Sequence, residues 1–362
     1  MKQATYTPFQ MERLGTIMEG DASNPDEVLG VLNPACCRDR DGGLLLFPRV
    51  VAAQNYSRIG IAHVRFDADG TPTGVDRLGY ALEPTEGYER NARTAGVEDA
   101  RITYIDAIDL YVMAYVGYGP LGPRVALATS EDAYTWRRLG LAKFTYAAEY
   151  HTDFDLYVNK DAYLFPEPVH DPHGRPALAM IHRPDYNVNW WSTGGFPVQP
   201  SGIEETRPSI WISYAPLDAV KADPRNLCFW RDHQLLATPL YPWESLKIGG
   251  GAPPVLTPLG WVTIIHGVDG EILQGVDHQP RVRYAAGVLV LDRDDPRKVL
   301  YRSREPILAP DTAEEQHGVV DNVVFPTAVD PRPDGRIDVF YGMADARIGV
   351  ARMLVPSTLP SE

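Results

Sequence analysis

Cysteine is scarce in this chain: Cys36, Cys37 and Cys228 are the three among 362 residues. Two are adjacent and none stands in a C-x-x-C or Cys/His spacing, which excludes a disulfide framework and a cysteine-based zinc site and leaves reduced thiols. Long apolar runs are also lacking. No stretch approaches the roughly 20 residues needed to span a bilayer. Residues 1–20 alternate polar and apolar side chains, without the apolar core of about 7–15 residues that marks a signal peptide. The expectation is a cytoplasmic protein with no membrane contact. Positive charge is in deficit, with 34 Lys and Arg against 48 Asp and Glu, a formal net charge of −14 and no long run of either sign. That balance argues against a phosphate-backbone binder, so no nucleic-acid partner is expected. Helical periodicity is nearly absent.

Turn formers and aromatics are abundant: 31 Gly, 32 Pro, 7 Trp, 19 Tyr and 10 Phe. Short β-branched and aromatic runs recur between Asp/Gly/Pro turns, at 43–51, 59–66, 102–115, 125–129, 177–182, 210–214, 260–266, 286–292, 319–327 and 337–341. Asp67-Ala68-Asp69-Gly70 and Asp171-Pro172-His173-Gly174 read as solvent hairpins. The stretch 184–208, with Asn187, Asn189, Trp190, Trp191 and Gly194-Gly195, reads as a long loop, of the kind that shapes a binding site or is mobile.

A weak internal repeat opens five strand sets with similar residues: Asn33-Pro34-Ala35, Glu98-Asp99-Ala100, Asn159-Lys160-Asp161-Ala162, Gly250-Gly251-Ala252-Pro253 and Asp321-Asn322-Val323. Their spacing of about 60–90 residues predicts an all-β fold, a five-bladed β-propeller formed as a single domain over 1–362, with a two-sheet sandwich as the alternative. In a propeller the innermost strand of each blade begins near one central mouth, so polar openings from distant segments converge there.

The densest chemistry is Gly96-Val97-Glu98-Asp99-Ala100-Arg101, two adjacent carboxylates and a guanidinium beside an apolar run. Successive side chains in a strand face opposite ways, so one of Glu98 and Asp99 can occupy a low-dielectric pocket as a proton donor. A salt-bridged turn is the competing interpretation.

Together with Asn159-Lys160-Asp161-Ala162, Leu164-Phe165-Pro166-Glu167, His182-Arg183-Pro184, Lys247-Ile248-Gly249, Gly260-Trp261, His266-Gly267-Val268, Tyr341-Gly342 and Ala344-Asp345, this motif resembles glycoside hydrolase family 130. The resemblance keeps the motif order from about residue 33 to 351. That family comprises five-bladed propeller β-mannoside phosphorylases and β-mannosidases. The resemblance makes Asp99 the proton donor. It implies that Arg49, Lys160, Arg183, Lys247, His266 and Tyr284 bind phosphate, and that Asn33, Ser57, Arg101 and Asp345, with Asp99, bind mannose.

Protonation of the leaving oxygen is needed as oxocarbenium-like charge builds on the sugar. An inverting hydrolase adds a carboxylate base about 6.5–9.5 Å from the acid. Phosphate is already an anionic nucleophile, so cations that orient it replace that base. The expected activity is therefore inverting phosphorolysis of a β-mannoside to α-mannose 1-phosphate, with inorganic phosphate as co-substrate and neither metal nor other cofactor. The expected partners are these small molecules, and a homo-oligomer is compatible with the sequence.

Trp190, Trp191 and Trp261 could offer apolar faces to sugar rings, although Trp261 follows Gly260 in a strand, where a core position is the alternative. One alternative is an inverting β-mannosidase acting on β-1,2- or β-1,4-mannosides, with Glu149, Glu167 or Glu204 as base. Another is a non-catalytic glycan-binding propeller. The chain departs from the family pattern at Ala100, where proline is usual, at Ile265, where tyrosine is common, and in an insertion-like stretch at 269–283 that precedes Tyr284.

Overall fold

The computed structural model describes residues 8–90, 95–187, 198–273 and 279–360. Their fold is nearly all β. Antiparallel neighbours succeed one another along the chain in groups of four. The first group is Gly30–Arg38, Leu44–Ala52, Tyr56–Phe66 and Pro72–Leu82. The second is Gly96–Ile105, Leu110–Gly119, Gly122–Ser130 and Arg137–Leu141. The third is Val158–Leu164, Pro176–Asp185, Ile210–Pro216 and Phe229–Ala237. The fourth is Lys247–Gly250, Gly260–Gly270, Val282–Leu291 and Val299–Arg302. The last takes Val324–Pro331, Ile337–Met343 and Arg347–Leu354 from the end of the chain and completes itself with Gln10–Glu19 from its beginning. A parallel bridge between Ser57 and Gly96 joins the first two groups into one sheet.

Middle strands such as Leu44–Ala52 and Leu110–Gly119 are buried along nearly their whole length, which explains their continuous apolar sequence in place of a polar alternation. The core is divided into five clusters, each shared by two groups. Val112, Leu164 and Trp211 join the second to the third, and Phe165, Trp261 and Leu289 join the third to the fourth. Val262, Val290 and Val339 join the fourth to the last, and Phe340, Val31 and Leu46 join the last back to the first. The first and second share Phe47, Val97 and Met113.

A second repeat accompanies the cores. Buried Glu27, Glu89, Glu244 and Glu315 accept backbone N–H groups of the turns that precede their groups. Each also pairs with an arginine on the outermost strand of that group: Arg77, Arg138, Arg302 and Arg13 respectively. Removing one partner would leave a buried charge uncompensated, at a cost of about 3–5 kcal/mol.

The run 102–115 is not one strand. Asp106–Ile108 forms a 3-10 turn and Asp109 adopts a left-handed φ of 53°, so the chain reverses between Gly96–Ile105 and Leu110–Gly119. The run 319–327 becomes regular only at Val324. Trp261 is core, donating from Nε1 to the Arg293 carbonyl and meeting Phe165 edge-on. Trp190 and Trp191 lie outside the described residues.

Candidate active site

The opening strands of the first three groups share a local irregularity. Their pairing slips between Leu32 and Ala35, between Glu98 and Arg101, and between Lys160 and Tyr163. Inside each slip sits one left-handed polar residue: Asn33 at φ 43°, Asp99 at 47° and Asp161 at 56°. A non-glycine residue in this region costs roughly 1–2 kcal/mol, and such bulges re-aim a side chain out of the alternating pattern. Here all three are aimed into one cavity of about 340 Å³. Asp345, at φ 51°, lines it too, from the turn after Ile337–Met343.

Two contact clusters form the cavity. In the first, Arg49 Nη1 donates to Asp99 Oδ1 at 3.2 Å, and Nη2 donates to Glu98 Oε1 at 2.9 Å and to Asn55 Oδ1 at 3.0 Å. Its Nε donates to Ser57 Oγ at 2.9 Å, and Asn33 Nδ2 donates to Asp99 Oδ1 at 3.0 Å. Burial alone would raise the Asp99 carboxyl, but the Arg49, Arg101 and Lys160 charges and the Asn33 hydrogen bond hold it below its ordinary value. Asp345 goes the other way. Burial pushes it up to about 6, with Asp99 and Glu98 adding to the rise and Arg49 and Lys160 opposing it.

In the second cluster, Arg183 Nε donates to Asp161 Oδ2 at 2.6 Å. Among the described residues this is the side chain's one hydrogen bond, so both Nη groups remain for the cavity. Burial raises Asp161 less than Arg183, His266 and Arg101 lower it, so it stays ionised. Burial drives His266 down to about 3, aided by Arg183, Lys247 and Arg101 against Asp161, so the imidazole is neutral in the working range. Its Nδ1 is buried without a hydrogen-bond partner in the described structure. Tyr284 stacks over His266 with ring centroids 6.1 Å apart, and Lys247 Nζ lies 5.2 Å from the centre of the Tyr284 ring. Gly249 makes the crowding feasible, because a Cβ there would collide with Asp161 Oδ2 and His266 Cε1.

Of the residues singled out in the sequence, Asn33, Arg49, Asp99, Lys160, Arg183, Lys247, His266, Tyr284 and Asp345 line this cavity. Ser57 and Arg101 stand behind its wall. Ser57 holds Arg49, while Arg101 donates to the Asp99 and Gly251 carbonyls and lies 5.5 Å from the centre of the Phe325 ring. Glu149, Glu167 and Glu204 are exposed and outside the lining. Asp161, the anchor of the second cluster, was not among the candidates, although placing Lys160-Asp161-Ala162 under Glu98-Asp99-Ala100 aligns it with Asp99. Glu98 likewise proves to be a buried partner of Arg49, and Lys160 Nζ lies 3.7 Å from its Oε2. Four cations and three carboxylates line the cavity, so it is locally rich in positive charge inside an acidic chain. A larger cleft of about 460 Å³ around Leu110, Arg137 and Arg225 contains none of the motif residues, and its Arg225 is already paired with Asp223.

The glycoside hydrolase family 130 model, described as β-1,4-mannooligosaccharide phosphorylase, matches residues 7–359. The chain belongs to glycoside hydrolase family 130. It is 32% identical over 292 residues to the 1,2-β-oligomannan phosphorylase of Thermoanaerobacter sp. (strain X514), covering 76% of this chain and 78% of that one. The β-1,2-mannobiose phosphorylase of Listeria innocua, solved with β-1,2-mannobiose, has the same fold at a TM-score of 0.58 and 23% identity, over 98% of this chain and 92% of that one. A structure from a study of family 130 glycoside hydrolases that target β-1,2 mannosidic linkages in Candida mannan aligns at a TM-score of 0.68 and 20% identity, over 99% and 97%. This family 130 chain is accordingly an enzyme, a glycoside phosphorylase or hydrolase. Phosphorylases of the family use inorganic phosphate as co-substrate and need no cofactor.

Proposed function

We propose that this chain is an inverting β-mannoside phosphorylase built as a single five-bladed β-propeller. The five shared cores support the propeller reading, because each group of strands packs on the next and the last packs on the first. Completion of the last group by Gln10–Glu19 supports it as well, since it ties the start of the chain to its end.

The observation that carries the function is the second contact cluster. Arg183, Lys247 and a neutral His266 gather in the same cavity as Asp99 and Lys160, with guanidinium and ammonium donors left to the open space. Such donors bind and orient an oxyanion by charge-assisted hydrogen bonds. In the proposed reaction the bond from mannose C1 to the leaving oxygen breaks and a phosphate oxygen bonds to C1 from the opposite face. A proton passes to the leaving oxygen, giving α-mannose 1-phosphate and a shortened acceptor.

Asp99 is the proposed donor of that proton, with Asn33 and Asp345 holding the sugar beside it. Its cations hold Asp99 below its ordinary value in the free enzyme, whereas burial and the Asp99 and Glu98 charges raise Asp345, so the two carboxyls of the cavity are held in opposite directions. The hydrolase alternative needs a carboxylate base. None of Glu149, Glu167 and Glu204 is in the cavity, and Asp161 is locked to Arg183.

The deciding experiment incubates the enzyme with β-1,2- and β-1,4-mannobiose, with and without phosphate, and identifies the products. Mannose 1-phosphate formed only with phosphate is the expected result; free mannose at a phosphate-independent rate would overturn the reading.

A further inference from the structure

Behind the second cluster, four side chains that do not line the cavity form one hydrogen-bonded chain through the core. Asn159 meets His182 Nδ1 at 2.9 Å, and His182 Nε2 meets Ser213 Oγ at 2.7 Å. Ser213 Oγ meets His233 Nδ1 at 2.7 Å, and His233 Nε2 meets the Thr145 carbonyl at 2.9 Å. All four are buried, with the Phe144 ring 4.3 Å from His182 and the Phe154 ring 4.6 Å from His233.

The polarity of this chain is fixed from one end. A carbonyl only accepts, so His233 carries its proton on Nε2 and offers Nδ1 as an acceptor. Ser213 then donates its single hydroxyl hydrogen to that Nδ1 and accepts from Nε2–H of His182. That leaves His182 Nδ1 to accept from the Asn159 amide. Each link is satisfied with both rings neutral. Burial favours that state, driving His182 well below its ordinary range with His233 adding to the effect. For His233, burial outweighs the Thr145 carbonyl and the nearby Glu149, Asp232 and Asp153, which pull the other way.

Asn159 immediately precedes Lys160, and His182 immediately precedes Arg183. Lys160 and Arg183 are register partners across their two strands. Because side chains alternate, the Asn159–His182 bond ties the back of the strand pair at the step where its front presents Lys160 and Arg183 to the cavity. We propose that Asn159, His182, Ser213 and His233 are positioning residues for the anion site, a one-way chain of neutral groups that fixes where Lys160 and Arg183 stand. Its phosphate readout rests on the phosphorylase reading.

The first test is a long-range ¹H–¹⁵N correlation spectrum of the histidine-labelled wild-type enzyme, assigned by signal loss in His182→Gln and His233→Gln. Both rings are expected as neutral Nε2–H tautomers from about pH 6 to 8; an Nδ1–H tautomer or an imidazolium at either position would overturn the proposal. The second uses Ser213→Ala, checked for folding by circular dichroism. The KM for phosphate should rise about tenfold with the KM for mannoside unchanged, and Ser213→Thr, which keeps the hydroxyl, should restore it. An unchanged phosphate KM, or equal rises in both constants, overturns the positioning role alone. A wild-type enzyme that neither binds nor consumes phosphate overturns the function reading and the anion-site role together.

Discussion

The two clusters of the cavity use the same residue types to opposite ends. Around Asp99, the Arg49 guanidinium spends its donors on Glu98, Asp99, Asn55 and Ser57, so its charge serves to fix carboxylates. Around Asp161, Arg183 commits only Nε among the described residues and keeps its outer nitrogens for the cavity, while Lys247 lies over Tyr284. The first is a nearly saturated cluster that holds acids, with four of the five Arg49 donors in use; the second is a less saturated one with capacity for an anion. A guanidinium therefore has to be assigned by which of its donors are already used.

Each prediction probes that division. The largest effect is expected for Asp99→Asn, which keeps the shape but removes the proton, lowering kcat roughly 10²- to 10⁴-fold with the KM for phosphate unchanged in steady-state assays. A folded variant with near-normal turnover would take Asp99 out of the reaction. On the other side, Lys247→Ala should raise the KM for phosphate roughly ten- to hundredfold and leave that for mannoside unchanged, because it removes a charge-assisted hydrogen bond worth about 1.5–3 kcal/mol. Arg183→Ala should do the same and also lower the unfolding free energy by about 1–3 kcal/mol in urea titrations, since buried Asp161 loses its hydrogen-bonded partner and keeps only the more distant Arg101, 3.7 Å away.

Smaller changes sharpen the contrast. Gly249→Ala introduces a methyl group against Asp161 and His266, so thermal denaturation should show a loss of about 1–3 kcal/mol and the phosphate KM should rise before the mannoside KM. The smallest expected effect concerns Asp345, whose folded value of about 6 lies above its ordinary 3.8. A raised carboxyl stabilises the fold relatively at low pH, and that contribution is lost as pH rises through about 6. Asp345→Asn, neutral throughout, should thus raise Tm by a few degrees at about pH 8 and give no gain at about pH 4, while lowering activity. An equal Tm change at both pH values would show that Asp345 is not held against its ionisation.

Strand content was readable from the sequence because each strand set buries an apolar run between Gly, Asp and Pro turns. The cavity residues were readable because the motifs keep their order. Asp161 and Glu98 were harder to identify because their roles depend on bulges, where a left-handed residue breaks the strict alternation of a strand. The break at Asp106–Ile108 was hidden by the same cause, since Ile105, Ala107 and Ile108 continue the apolar run while the backbone turns. Ser57 and Arg101 carry polar groups suited to a sugar, and no local signal shows that Ser57 already meets Arg49 or that Nε and Nη1 of Arg101 already donate to the Gly251 and Asp99 carbonyls.

The division of labour between the clusters is tested most directly by calorimetric titration of inorganic phosphate, without mannoside, into the wild-type, Asp99→Asn and Lys247→Ala enzymes. The account predicts one phosphate bound by wild type, binding at least as tight in Asp99→Asn, which has lost a nearby negative charge, and affinity roughly ten- to hundredfold weaker in Lys247→Ala. No binding to wild type, or equal weakening in both variants, would contradict it.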